Sequence, residues 1–366
     1  MKSGEQGDLS RENMPRQLPA RKVISAVAPI RICDLGGWTD TWFAKTGAVL
    51  NIGVYPYAEV QIYVTDTPPG RERAITIHAE NFGDRYAVAP NQQDYDRHPL
   101  LEASIEIMEL PATLSFEVNI YSEAPAGCST GTSAAVSVAL LGALDWLTPG
   151  RRTPHEIAAL AHRVETEKLG LQCGIQDQLC SAYGGICFIE MFRYPYASVS
   201  HVTVPNSVWW ELERRLVLVY LGHAHASSEV HGEVIKRLER ENADLSSLEP
   251  LRRAARGGKE ALYAGDFDAF GECMAANTEA QANLHPDLVS NAARDVIDLA
   301  RTHGAVGWKV NGAGGEGGSV TILCGSESER KRAFVQALPA LDPAFQVIPT
   351  YLCGTGLRRW ESESRT

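Results

Sequence analysis

Apolar positions along the chain fall into a few regular runs, and together they predict an α+β protein. Residues 23–32 (VISAVAPIRI) are β-prone and lead into the Gly-rich segment DLGGWTDT. A second apolar stretch follows at 48–64, as expected of strands joined by a functional loop. Leu114, Phe116, Val118 and Ile120 alternate with polar residues, the period-2 signature of a half-buried strand. This run stops at Ser122 and gives way to a Gly and Ser/Thr loop that feeds a long apolar helix rich in small residues. The next helix is announced by its cap: Thr153 is suited to the N-cap, Pro154 to the first turn and Glu156 to a capping box, with Gly170 at the far end. The segment LQCGIQDQLCSAYGG reads as a loop leading to an apolar strand at 186–189.

A change of character near Pro205 places a domain boundary there. It divides the chain into a polar tail at 1–21, expected to be disordered, a first domain at 22–205 and a second at 206–366. In the second half, a strand at 216–221 precedes several helical segments, and Pro286 starts a helix ending at Gly304. Strands at 305–310 and 319–323 flank the loop NGAGGEGG, and a helix at 326–338 and a strand at 345–348 complete the pattern. A length of 366 residues agrees with two domains, since single cores stop growing at roughly 250 to 300 residues.

Composition narrows the chemistry. Lys and Arg number 34 against 45 Asp and Glu, a net charge of −11, which argues against a nucleic-acid surface. An acidic chain can still hold a phosphorylated ligand where backbone N–H groups, a metal ion or a few local cations overcome the overall field. The eight cysteines are scattered with no CxxC pair, which fits reduced thiols in a cytoplasmic protein. No apolar run approaches 18 residues and the N-terminus lacks an apolar core segment, so neither membrane insertion nor secretion is expected.

Four segments carry candidate chemistry. In PAGCSTGTSAA, two glycines and several small hydroxyl or thiol residues precede a helix whose free N–H groups and dipole make an anion site. It lacks the lysine of a Walker A loop. The second Gly-rich loop satisfies G-x-G-x-x-G through Gly312, Gly314 and Gly317, but it runs into a strand near the C-terminus instead of opening a helix, so a dinucleotide fold is rejected. CGIQDQ presents Asp177. Glu165 and Glu167 precede it, on opposite flanks of the stripe formed by Ile157, Leu160, Ala161 and Val164, and periodicity does not choose between them. A carboxylate at the edge of an apolar face needs a partner, for which a metal ion is one candidate. Finally, RICDLGGWTD sets Arg31 and Asp40 around two adjacent glycines.

The order and spacing of these segments resemble the GHMP small-molecule kinases, the family of galactokinase, homoserine kinase and mevalonate kinase. APIRICDLGGWTD is similar to the first family motif, PAGCSTGTSAA to the second and KVNGAGGEGG to the third, and the likeness spans nearly the whole chain after the tail. The resemblance implies a two-domain fold, with an N-terminal α/β half containing a left-handed βαβ crossover and a ferredoxin-like C-terminal half. The active site would lie between them.

Carried over residue by residue, the resemblance implies that Pro125, Gly127, Cys128, Ser129, Thr130, Gly131, Thr132, Ser133 and Ala134, with Gly312 and Gly314, hold ATP. Ser133 and Glu165 would hold Mg²⁺, since Glu165 lies twelve residues before Asp177, the family spacing. Asp177 and its partner Arg31 would be catalytic, and Gly37, Trp38, Asp40 and Asp177 would meet the substrate. GGWTDT is similar to the fucokinase and heptose-phosphate kinase branch. The expected activity is therefore an ATP-dependent sugar kinase acting on the anomeric hydroxyl of a hexose, heptose or longer sugar, free or carrying a terminal phosphate. A non-catalytic ATP- or sugar-binding regulator and a kinase of another hydroxyl are the alternatives. The expected partners are ATP and a small sugar or sugar phosphate, with no nucleic acid and no membrane, in a monomer or homodimer. Ser129 and Glu316 replace usual glycines of the second and third motifs. GHAHASSEVH, with His223, His225, Ser227, Ser228 and His231, is expected to form a substrate-side loop.

Overall fold

The computed structural model describes residues 21–67, 70–88, 95–224 and 229–364. The tail at 1–20, with His225, Ser227 and Ser228, lies outside the described residues. In chain order the strands are β1 (Arg21–Leu35), β2 (Gly47–Asp66), β3 (Ile75–Ala79), β4 (Asp84–Val88), β5 (Leu114–Ser122), β6 (Ile186–Arg193) and β7 (Tyr196–His201). They continue with β8 (Leu216–Tyr220), β9 (Ala305–Val310), β10 (Ser319–Cys324), β11 (Gln346–Ile348) and β12 (Arg358–Ser364). The helices are α1 (Pro99–Glu106), α2 (Thr132–Asp145), α3 (Pro154–Arg163), α4 (Gln176–Tyr183) and α5 (Asn206–Arg215). They are followed by α6 (Glu229–Leu238), α7 (Glu249–Ala264), α8 (Phe267–Leu284), α9 (Asn291–Thr302) and α10 (Ser328–Leu341). None of them is long and apolar enough to cross a membrane.

The first sheet runs β12-β1-β2-β5-β3-β4, and β6 and β7 branch from β2. This branching is possible because β2 spans 20 residues: its start pairs with β6 and its end with β5. Every second residue of β1 from Ile24 to Ile32 is fully buried, and α2 and α4 pack on β1 from the covered face. The second sheet runs β11-β8-β10-β9 with every neighbour antiparallel. Numbered within that half, this is the order 4-1-3-2 of a ferredoxin-like sheet, with α6 to α9 inserted between its first two strands. A separate core of Val217, Val219, Val320, Ile322, Val296 and Phe334 lies beneath α9 and α10.

Four expectations need correction. The second domain is not the self-contained unit 206–366, because β12 returns to pair with β1 from Arg21↔Ser364 to Val27↔Arg358. That pairing covers what would otherwise be an open edge strand. Pro286 opens only a short 3₁₀ turn (Pro286–Leu288), since Val289 is extended and Ser290 caps a fresh start at α9 by accepting from the Ala293 N–H at 3.2 Å. The stretch containing Asp177 is a helix, α4, and not a loop. The capping box at Thr153 and Glu156 forms as expected, but α3 does not continue regularly to Gly170. It widens into a π turn at Val164–Lys168.

Candidate active site

The loop after β5 owes its shape to alternate left-handed residues: Gly127 (φ +70°), Ser129 (φ +58°) and Gly131 (φ +68°). The middle position is the strained one, since Ser129 must adopt a conformation that glycine reaches freely. Gly131 is the N-cap of α2 and offers no side chain to cap it, so the first-turn N–H groups are left for another acceptor. A Cβ on Gly131 would lie 3.1 Å from Asp177 Cγ, so the glycine lets α4 bring its carboxylate against the loop. Residues 125–133 and Gly312 wall a cavity of ≈ 810 Å³, faced from the other side by Phe82, Arg97 and His98. The expected ATP residue Ala134 sits instead on a neighbouring cavity of ≈ 210 Å³, and Ser133 borders both.

Arg31 and Asp177 stand at the junction, lining both cavities. Arg31 Nε donates to Asp177 Oδ1 at 2.8 Å and Nη2 to Oδ2 at 3.2 Å, a two-point pair that fixes the carboxylate plane. A further donation, from Nη1 to the Ser129 carbonyl, ties the pair to the loop. Burial alone would lower the guanidinium pKa, but attraction to Asp177 and Asp34 outweighs it and the net shift is upward, so Arg31 stays a cation.

The smaller cavity is bordered by Trp38, Asp40 and Glu165. Asp40 is buried, and its Oδ2 accepts from the N–H groups of Ile175 at 2.9 Å and Gln176 at 3.0 Å. Burial pushes its carboxyl up to about 6 against the pull of those amides. Glu165 lies in the π turn with its carboxylate turned inward, accepting from Gln178 Nε2 at 2.7 Å. Burial raises it to about 7. Glu167 faces solvent and pairs with Arg163 at 3.0 Å. The wheel that made the two glutamates equivalent assumes 100° per residue, and a π turn does not keep that angle.

Gly37 lines neither cavity: it packs over Asp34, whose Oδ2 would meet a Cβ there at 2.9 Å. Gly314 likewise borders neither, and its carbonyl accepts from His231 Nε2 at 2.9 Å when that ring nitrogen carries the proton. Trp38, held at φ +73°, donates its indole N–H to the Ala313 carbonyl at 3.2 Å and meets His231 edge-on. His231 lies on α6 and borders both cavities. Glu316 is exposed, which keeps its charge away from the cavity walls.

Sequence reasoning missed a buried polar network beneath these loops. Asp34 is fully buried. Its Oδ1 accepts from the Gly312 N–H at 3.0 Å and lies 3.5 Å from Lys309 Nζ, itself 1% exposed. Lys309 also donates to Gln281 Oε1 at 3.2 Å, and Cys33 N–H donates to Asn311 Oδ1 at 3.0 Å. The signal was present: an Asp and a Lys embedded in otherwise apolar strands must be paired if the strands are buried. The network joins the first and third Gly-rich segments, so the two halves of the site are mechanically one.

Residues 100–185 match the model for the GHMP kinases N terminal domain and residues 259–340 that for the GHMP kinases C terminal. A mevalonate kinase of Thermococcus sibiricus is 31% identical over 320 residues, covering 84% of this chain and 91% of the relative. The chain belongs to the GHMP kinase family. Another GHMP kinase relative, the D-glycero-alpha-D-manno-heptose 7-phosphate kinase of Campylobacter jejuni, is 26% identical over 306 residues, with 81% of this chain and 88% of that one covered. Among solved structures, a D-glycero-D-manno-heptose 1-phosphate kinase from Bacteriodes thetaiotaomicron superposes with a TM-score of 0.71 at 24% identity, over 92% of this chain and 98% of that one. It shows that the fold is shared.

Proposed function

We propose that the protein transfers the γ-phosphoryl group of ATP to the anomeric hydroxyl of a sugar, giving a sugar 1-phosphate. The observation that carries this reading is the Arg31–Asp177 pair at the meeting point of a large cavity walled by an anion-binding loop and a small one bordered by Asp40. ATP occupies the large cavity, with its phosphates against the N–H groups of residues 127–133 and the start of α2. The sugar occupies the small cavity. There Asp40, fixed by two backbone amides, is an acceptor for ring hydroxyls, and Trp38 is a flat face for the ring.

Asp177 accepts the hydroxyl proton as the sugar oxygen bonds to the γ-phosphorus, and the bond to the ADP oxygen breaks. Arg31 keeps Asp177 ionised and aimed, and its positive charge favours the developing negative charge on the transferring group. The anomeric hydroxyl suits this arrangement because the ring oxygen makes it more acidic than its neighbours, so a carboxylate can assist its deprotonation.

The residues fit a magnesium ion. Glu165 is a buried carboxylate beside Gln178, whose Oε1 is buried without a partner, and Ser133 adds a hydroxyl at the border of the same cavity: all are hard oxygen donors. No cluster of three or more His, Cys, Asp or Glu is arranged to hold a metal among the described residues, so an ion at Ser133 and Glu165 would complete its shell with phosphate oxygens and water. When bound, it would neutralise charge on the transferring phosphates. Phosphorus NMR of the product tests the proposal: coupling of the new phosphate to the anomeric proton is expected. A primary-alcohol phosphate would instead move the protein toward the mevalonate side of the family.

A further inference from the structure

We infer that the acceptor is an unphosphorylated monosaccharide with an uncharged far end, and not a sugar that already bears a terminal phosphate. This rests on the kinase reading above and concerns the smaller cavity alone. Its volume of ≈ 210 Å³ is about a quarter of the ≈ 810 Å³ of the larger cavity, which makes it the compartment for the smaller of the two reactants.

The charge on its walls points one way. Among the described residues that line it, the carboxylates are Asp40, Glu165 and Asp177, and the cation is Arg31, already engaged at two points by Asp177. His231 adds no compensating charge near neutral pH, because burial lowers its pKa. A second phosphate would therefore find no guanidinium or ammonium on these walls beyond Arg31, which Asp177 already engages, and the charge of a magnesium ion held at Ser133 and Glu165 would be taken up by the phosphates of ATP.

The apolar part of the lining agrees. It includes Trp38, Trp42, Phe43 and Ile235. Trp38 and Phe43 are 8% and 7% exposed, and Trp42 lies edge-on to Phe43 at 5.1 Å and to Tyr194 at 6.3 Å, so this wall is held in place by its own packing. Rigid aromatic and aliphatic surface matches the C–H face of a pyranose and a terminal methyl or unsubstituted carbon. It would strip water from a phosphate without replacing the lost hydrogen bonds. Asp40, in the same lining, supplies acceptor capacity for ring hydroxyls.

The test compares neutral sugars with their terminally phosphorylated counterparts on the full chain. ADP formation is measured with L-fucose, D-mannose and D-galactose, and with mannose 6-phosphate and D-glycero-D-manno-heptose 7-phosphate. In parallel, quenching of tryptophan fluorescence by each sugar is recorded in the presence of a non-hydrolysable ATP analogue. At least one neutral sugar is expected to be used with a KM about 100-fold or more below that of any phosphorylated sugar, and to quench fluorescence at correspondingly lower concentration. An Ile235→Arg variant, which adds a cation to the lining of this cavity, is expected to narrow that ratio about tenfold. Preference for a phosphorylated sugar would overturn the inference and leave the kinase reading intact. Quenching by neutral sugars without turnover would uphold the inference and overturn the kinase reading. No turnover of any sugar, neutral or phosphorylated, and no quenching by any of them would overturn both.

Discussion

The smallest scale at which function can be argued is the single carboxylate, and three of them here have been given different environments by the fold. Asp177 is clamped by Arg31 beside the loop, which fits the proposed role of base. Asp177→Asn is expected to lower turnover about 10²- to 10⁴-fold while leaving the affinity for ATP nearly unchanged, because it removes a proton acceptor and no phosphate contact. Single-turnover kinetics alongside nucleotide titration checks this, and near wild-type turnover would remove Asp177 from the mechanism. Asp40 illustrates the opposite environment, since burial lifts its carboxyl from 3.8 to about 6. A folded-state pKa above the unfolded one means that ionised Asp40 costs stability. The cost is absent below the unfolded value, grows as pH rises from about 4 to 6, and is complete above about 6. A shift of about two units corresponds to an upper bound of about 3 kcal/mol. Asp40→Asn is therefore expected to be more stable than wild type at pH 7, by an amount that vanishes toward pH 4, while losing sugar use. Urea unfolding across pH 4 to 7.5 measures the difference, and a difference that does not vary with pH would show that Asp40 carries no such cost.

Elements decide which of these carboxylates meet. Glu165 and Glu167 are two residues apart, both within the π turn that follows α3, yet one faces the cavity and the other solvent. Glu165→Gln is expected to raise the Mg²⁺ concentration needed for half-maximal activity about tenfold or more, and Glu167→Gln to leave it within about twofold. Equal effects would mean that the inward turn of Glu165 has no bearing on the metal. The same stretch shows where sequence was readable. Thr153, Pro154 and Glu156 announce the start of α3 because capping is local chemistry, and the alternation at Leu114 to Ile120 announces β5 because one face of that strand is covered. The π turn was not legible, since no local signal marks it and the partner of Glu165 within it, Gln178, lies on α4. Helix α4 was missed for a related reason: it has no side-chain cap and only eight residues, so the Gly-Ile-Gln-Asp run looks like a turn. The Gly-rich loops were readable as anion sites in outline, but not that Gly37 and Gly314 serve packing while Gly131 makes room for Asp177.

At the scale of the whole molecule, the boundary near Pro205 marks a change of sheet and not a separation into independent units. Strand β12 lies at the very end of the chain and yet completes the first sheet, and Arg359 on it pairs with the fully buried Asp145 of α2 at 2.5 Å while donating to the Arg152 carbonyl at 2.7 Å. Burial would raise the Asp145 carboxyl, but hydrogen bonds from Arg152 and Arg359 outweigh it and hold it below the ordinary range, so the charge depends on those partners. The Asp34–Lys309 contact joins the halves a second time at the site itself. Two ties of this kind predict that the halves unfold together. Arg359→Ala leaves Arg152 on Asp145 and is expected to cost about 1–3 kcal/mol, the range for losing a hydrogen bond to a buried charge. Deletion of residues 358–366 is expected to cost more, because it also uncovers the edge of β1 and invites edge-to-edge association. In both variants a single thermal transition should shift as a whole when followed by far-UV circular dichroism and by tryptophan fluorescence. Trp38 and Trp42 report the first half, and Trp210 and Trp308 the second. If the second half kept its own unshifted transition while the first melted early, the molecule would be two independent domains, and the Asp34–Lys309 contact would be a meeting of surfaces instead of a joint.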